Sequence, residues 1–184
     1  MIYVVTEDEA TPGARARNAH IQAQAAAAAA TGHYGALITD HQGLRQALEG
    51  RDRRLFLFAH GNAQVVGRFG DMNALVAHLR DHLRPFNAFN GRTINEIFVN
   101  SCESEGHAGA IAAAVRAEFP GRFMTIIGTR GRSFTDTQGN VRVARTNEEA
   151  DELDASTRLN PERFQQMIDR NCLAVGEGLA VWQV

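Results

Sequence analysis

Short apolar runs that do not alternate recur along this chain, and the stretches between them carry helical spacing. Ile2 to Thr6 is a β-rich run followed by acidic Glu7, Asp8 and Glu9 and by a Thr11-Pro12-Gly13 turn. Ala36 to Thr39, Leu55 to Ala59, Ile94 to Asn100, Phe123 to Gly128 and Gly178 to Val184 are five more candidate strands. A run that stays apolar on successive residues belongs to a strand covered on both faces. The pattern therefore predicts an α/β three-layer sandwich with a mostly parallel six-stranded sheet. Ala14 to Ala30 is nearly all helix-forming residues, ends in six alanines and stops at Gly32; its small side chains suit a helix lying close against a sheet. Asp71 caps a helix with Met72, Leu75, Val76, Leu79 and Leu83 on one stripe, and Gly106 to Phe119 carries Ile111, Val115 and Phe119 at spacing four until Pro120-Gly121 ends it. Asn160, Pro161 and Glu162 start another helix. NAQVVGRF, between Gly61 and Gly70, reads as a small hairpin or flap. A second hairpin is expected around Gln138-Gly139-Asn140, a loop from Pro85 to Gly91, and a flexible acidic loop from Asn147 to Asp154. No repeat, linker or boundary interrupts the pattern, so residues 1–184 read as one domain.

Composition narrows the function. A chain of 184 residues, 44% hydrophobic and 22% charged, is long enough for a full core, burying roughly 70% of its extended-chain surface. A net charge of -2 and a pI near 6.4 give no general attraction to nucleic acid or anionic lipid. No apolar run approaches the roughly 20 residues of a membrane span, and MIYVVTEDEA lacks the basic and long apolar regions of an export signal. The expectation is a cytoplasmic protein with no nucleic-acid or membrane partner. All 19 basic residues are arginine. Without lysine the chain supplies neither the ammonium of a phosphate-binding loop nor a Schiff-base amine. GC-rich codon usage accounts for that lack; delivery into another cell, where lysine modification would threaten the protein, is the one further idea it raises. Two cysteines, Cys102 and Cys172, are too few for a disulfide scaffold or a four-cysteine metal site.

Two strand ends deliver a reactive side chain where the apolar run breaks into a turn: FLFAHGN, with His60, and IFVNSCES, with Cys102. Sites in open parallel sheets form at the carboxyl ends of the strands, so both residues belong to one edge, and neighbouring strands would send them into one crevice. Cys102 precedes a helix whose N-terminal amides favour a thiolate, and a nearby imidazole can take or return a proton. Gly61 lets the backbone come close to a ligand, so its amide and that of Cys102 can face an oxyanion. Taken singly, a His-Gly after a strand is a common turn and a buried cysteine is common packing. The pair, with Asn100-Ser101 before the thiol and Glu103-Ser104-Glu105-Gly106 after it, is not explained by packing. Cys172 lies between a polar helix end and an apolar strand with no histidine nearby and reads as structural. His78 and His82 are four apart on a helix, but Leu79 stands where a zinc-peptidase glutamate would, and no third ligand is evident. They read as boundary histidines, and no metal site is expected.

LFLFAHGN followed 42 positions later by IFVNSCESEG resembles the clan CD, caspase-like cysteine peptidases, in which an apolar strand ending in His-Gly precedes one ending in a small residue and Cys. A caspase histidine stands about 50 residues upstream of its cysteine. NSCESEG is similar to the Asp-Ser-Cys-x-Ser-Gly of bacterial metacaspases and the Ser-Ala-Cys-Glu-Thr-Gly of CHAT domains, and the segment GRSFTDTQGNVRV is similar to autoprocessing domains of large bacterial toxins. The likeness covers Arg54 to Val143 in motif and the whole chain in element order.

The resemblance implies hydrolysis of peptide bonds in a protein or peptide substrate by a Cys102–His60 dyad, with Gly61 in the oxyanion hole and no cofactor. It implies substrate contacts from Asn100, Ser101, Arg130 and Ser133. Asn100 replaces an aspartate that helps metacaspases bind a basic residue before the cut, while Arg130 or Arg132 would suit an acidic one. Arg130, Arg132, Arg142 and Arg145 also raise the idea of an anionic activator or a partner protein, against the alternative that they are solvated loop arginines. Two rivals use the same residues: a thiol amidase or acyl transferase, and a caspase-like protein-binding module without catalysis.

Overall fold

A computed structural model describes residues 1–50, 52–156 and 160–184. Its strands are β1 (Ile2–Val5), β2 (Leu37–Ile38), β3 (Arg54–Ala59), β4 (Glu96–Asn100), β5 (Thr125–Thr129), β6 (Ser133–Thr135), β7 (Val141–Val143) and β8 (Leu179–Gln183). Its helices are α1 (Pro12–Ala30), α2 (His41–Glu49), α3 (Met72–Leu83), α4 (Glu105–Glu118), α5 (Asn147–Ser156) and α6 (Pro161–Asn171), with a 3-10 turn at Arg84–Phe86. Six strands form one sheet in the order β2-β1-β3-β4-β5-β8. The pairs from β2 through β5 are parallel, and β8 closes the edge antiparallel to β5.

Side chains of a strand alternate between its faces, and here both faces are apolar. Ile2, Val4, Phe56, Phe58 and Phe98 pack against Ile21, Ala25 and Ala28 of α1. Tyr3, Val5, Leu55, Leu57, Ala59, Ile97 and Val99 face Leu44 and Leu48 of α2, Leu75 and Leu79 of α3, and Ile111 and Val115 of α4. That double burial makes the three layers and explains the continuous apolar runs. α3 and α6 start at the expected caps, Asp71 and Asn160; α1 starts at Pro12, inside the expected turn, and α2 is a helix that the sequence pattern did not single out, with Thr11 and Asp40 likewise each accepting a backbone N–H of the first turn. Gly32 (φ 76°) turns the chain out of α1. At Gly128 an added Cβ would lie 2.7 Å from the Ser104 carbonyl and 2.8 Å from Ala108 Cβ, so α4 rests directly on the β5 backbone.

One expectation changes. The acidic stretch at Asn147–Asp154 is helical: Ala150, Leu153 and Ser156 turn inward, and α5 packs with α6 and Phe134 around Cys172. Its carboxylates are held by arginines, Asp151 and Asp154 by Arg132 and Glu149 by Arg145. Residues Ser133–Val143 form the expected hairpin, β6 against β7, apart from the main sheet. No helix among the described residues is long and apolar enough to cross a membrane.

Candidate active site at the carboxyl edge of the sheet

The parallel pairing of β3 with β4 runs to Phe58↔Asn100. Carried two residues further, that register sets His60 level with Cys102. Parity then chooses the face: His60 continues the Phe56, Phe58 series and Asn100 the Phe98 series, both directed to the α1 side of the sheet. A cavity of about 330 Å³ opens there, lined by His60, Gly61, Asn100, Cys102, Glu103, Arg132, Ser133 and Asp154, with His20 and Gln24 of α1 forming its other wall.

The turn carrying Cys102 is pinned by a buried hydroxyl network. Ser104 Oγ donates to the Val99 carbonyl at 2.6 Å and accepts the Thr129 amide at 3.0 Å, while Thr129 Oγ1 donates to the Ser101 carbonyl at 2.5 Å. The same turn places Glu103 at φ 54°, a left-handed conformation costly for a side-chain-bearing residue. Contacts to both adjoining loops hold it there: its amide donates to the Gly131 carbonyl at 2.9 Å, and its carboxylate accepts the Ala63 amide at 3.4 Å.

Gly61 and Cys102, whose backbone amides are the expected oxyanion donors, both line the cavity. The hairpin after Gly61 is closed by the Asn62 amide to the Val65 carbonyl (2.9 Å) and the Gly67 amide to the His60 carbonyl (2.8 Å), bonds that use neither of those two amides. A Cβ on Gly61 would sit 2.2 Å from the Val65 carbonyl oxygen and 2.4 Å from Ser101 Oγ, so only glycine fits.

His60 has a partner that the sequence reading passed over. Its Nδ1 lies 3.4 Å from Glu7 Oε1, just beyond the end of β1. Glu7 is fixed from α1: Arg17 grips its carboxylate at 2.8 and 2.7 Å, and buried Asn18 accepts its amide (2.8 Å) and donates to its carbonyl (2.9 Å). The signal was an acidic residue just past the end of a strand adjacent to β3, but only the packing of α1 selects Glu7 over Asp8 and Glu9.

The electrostatics describe a neutral resting pair. Burial lowers the His60 pKa below its ordinary 6.5, with Glu7 pulling the other way. Burial raises the Cys102 thiol above 9, partly offset by hydrogen bonding from Ser133. α4 starts three residues later at Glu105, so Cys102 lies before its first turn, and the thiolate expected from the helix end is opposed by desolvation. Cys102 is associated with Ser133 and His60 with Glu7; among the described residues no hydrogen bond joins thiol to imidazole.

The other expected residues divide. Asn100 and Ser133 line the cavity and are joined by a 3.2 Å bond from Ser133 Oγ to Asn100 Oδ1. Ser101 is buried, its hydroxyl unpartnered among the described residues and tucked beneath Gly61 rather than lining the cavity. Arg130 points elsewhere and pairs with Glu105 at 3.4 Å. Arg132 does line the cavity but is held by Asp151 and Asp154. Arg142 is nearly buried, bonded to the Leu173 carbonyl and Asp169. The four arginines are therefore engaged with neighbouring acids and carbonyls and do not form a free basic patch. Cys172 is buried, pushed up to about 11 by that burial, and far from acting as a nucleophile. His78 and His82, read as lacking a third ligand, meet His41.

Compared with protein-family models and with curated proteins, the chain matches none.

Proposed function

We propose that this chain is a cysteine endopeptidase of the caspase-like kind, cleaving peptide bonds with Cys102 and His60. The observation that carries the reading is the arrival of both side chains at one cavity from the carboxyl ends of neighbouring parallel strands, beside two backbone amides. The sheet order and the His-Gly and Ser-Cys strand ends support the family likeness. In the proposed reaction the substrate carbonyl lies between sulfur and imidazole. Cys102 Sγ attacks carbon as its proton passes to His60 Nε2, and the oxyanion faces the Gly61 and Cys102 amides. The imidazolium then gives that proton to the leaving amine as the C–N bond breaks. Water, deprotonated by His60, adds to the thioester and displaces the sulfur, which takes the proton back from the imidazolium as the acid is freed. Glu7 beside Nδ1 holds the ring with Nε2 free for these transfers and steadies the transient positive charge.

A neutral thiol and imidazole at rest suit this sequence, because the proton moves only when substrate is in place. Arg132 is already held by Asp151 and Asp154, so an acidic residue before the cut would have to displace both carboxylates. The test is incubation of the protein and its Cys102→Ala variant with a proteome, reading new N-termini. Cuts sharing a residue preference and present only with the intact thiol support a peptidase. Release of ammonia from small amides without new N-termini would favour the amidase alternative. Neither product, with full binding of a partner by both forms, would favour a binding module.

A further inference from the structure

Away from the cavity, between α2 and α3, three imidazoles meet. His78 and His82 are one helical turn apart on α3, and His41 opens α2 opposite them. One ligating nitrogen from each of the three lies within 4.8 Å of the others. His41 stacks on His82 with centroids 4.1 Å apart, and His78 meets His82 edge-on at 4.4 Å. Tyr3 Oη sits among them, 3.3 Å from His41 Nδ1 and 3.2 Å from His78 Nε2, and the Phe69 ring lies 4.7 Å from that of His78.

We propose that His41, His78 and His82 form a binding site for a borderline transition-metal ion, zinc being the expected occupant. Nitrogens bound tetrahedrally at about 2.0–2.1 Å stand roughly 3.4 Å apart, so small ring rotations bring the three atoms into register. Three imidazoles with no carboxylate among them are a donor set for zinc, nickel or copper rather than magnesium or calcium. Arg68, stacked on Phe69 at 5.2 Å, adds a positive charge to this neighbourhood, so coordination by the imidazole nitrogens rather than charge must hold the ion. Tyr3 holds two of the rings in orientation, the role of an outer partner to metal-ligating histidines. Entry is open: His41 is exposed, and with His82 it lines a groove of about 750 Å³ that also carries Glu49 and Asp81. The bound ion would tie α2, which has only Leu44 and Leu48 buried, to α3. Because this site shares no residue with the catalytic cavity, its fate is independent of the peptidase reading.

The test uses the untagged full chain in a Cys102→Ala background, stripped with chelator and titrated with Zn²⁺ by calorimetry and with Co²⁺ by visible absorption. One equivalent of zinc, a tetrahedral cobalt spectrum and a rise in melting temperature are expected. His41→Ala, at an exposed helix start, should fold normally yet weaken binding by at least about 100-fold, since loss of an outer partner alone costs roughly 10–100-fold. His82→Ala should do the same. Unchanged affinity in both variants, or no binding by the parent, would show that the three rings are packing only.

Discussion

Replacing Gly61 by alanine tests the site's construction and its chemistry together. The new Cβ would fall 2.2 Å from the Val65 carbonyl oxygen and 2.4 Å from Ser101 Oγ, whereas ordinary contact begins near 3.4 Å. The serine hydroxyl can rotate away; the carbonyl cannot, because the Asn62 amide donates to it and closes the hairpin. The hairpin must therefore shift by about 1 Å. Overpacking of this kind costs about 1–3 kcal/mol, which for a chain of this size lowers the melting temperature by roughly 2–12 °C. The Gly61 amide moves with the hairpin, and misplacing or losing one oxyanion donor lowers turnover by about 100-fold or more. Gly70→Ala is the control in the same segment: a Cβ there meets nothing within 4 Å, so stability should stay within about 0.5 kcal/mol. Melting by scanning fluorimetry and cleavage of a substrate found from the new N-termini give both readouts. If Gly61→Ala melts and cleaves as Gly70→Ala does, both the close approach and the role of that amide are refuted.

Glu7→Gln should lower kcat by about 10–100-fold with little change in KM, and should move the acid limb of the pH profile further down, since Glu7 raises the His60 pKa; an unmoved limb would mean that Glu7 does not act on His60. In the parent, that acid limb should have its midpoint below pH 6.5, because burial favours the neutral imidazole. Iodoacetamide should modify Cys102 at a rate still climbing through pH 9, while Cys172 stays unmodified in the folded chain, as peptide mass spectrometry would read; a plateau below pH 8 would contradict the burial argument. His107 is fully buried on α4, and burial lowers its pKa, with the Asn62 backbone and Asp71 pulling the other way. The unfolded chain therefore takes up a proton below about pH 6.5 that the native ring resists, and stability falls as pH drops. His107→Leu should remove that loss, so its melting temperature should gain more over the parent at pH 5 than at pH 7.5; an equal difference at both would refute it.

The layers of this fold were legible because burial on two faces leaves a plain trace in sequence: Leu55 to Phe58 and Ile97 to Val99 are apolar on every residue. His60 and Cys102 were legible for the same reason, each standing where such a run stops. α5 was not, since Ala150, Leu153 and Ser156 are a faint inward face among carboxylates, two of which, Asp151 and Asp154, are held by Arg132 from before the β6–β7 hairpin. Glu7 became visible only once Arg17 and Asn18 were seen to hold it, and Arg130 gave no sign that it would pair with Glu105 rather than face the cavity. The three-histidine cluster was hidden by distance along the chain. His78 and His82 announce themselves by spacing, but His41 reaches them only through the packing of a short helix against its neighbour.

The central claim is that sulfur and imidazole act as one unit, and a peptide-directed electrophile reports on it directly. A library of peptidyl acyloxymethyl ketones, followed by intact-mass and peptide analysis, should give a single adduct on Cys102 in the parent. In His60→Ala that adduct should form at least tenfold more slowly, while iodoacetamide at high pH still reaches the same thiol. Equal labelling of parent and His60→Ala by the peptide reagents would show that Cys102 reacts as an ordinary cysteine and contradict the account.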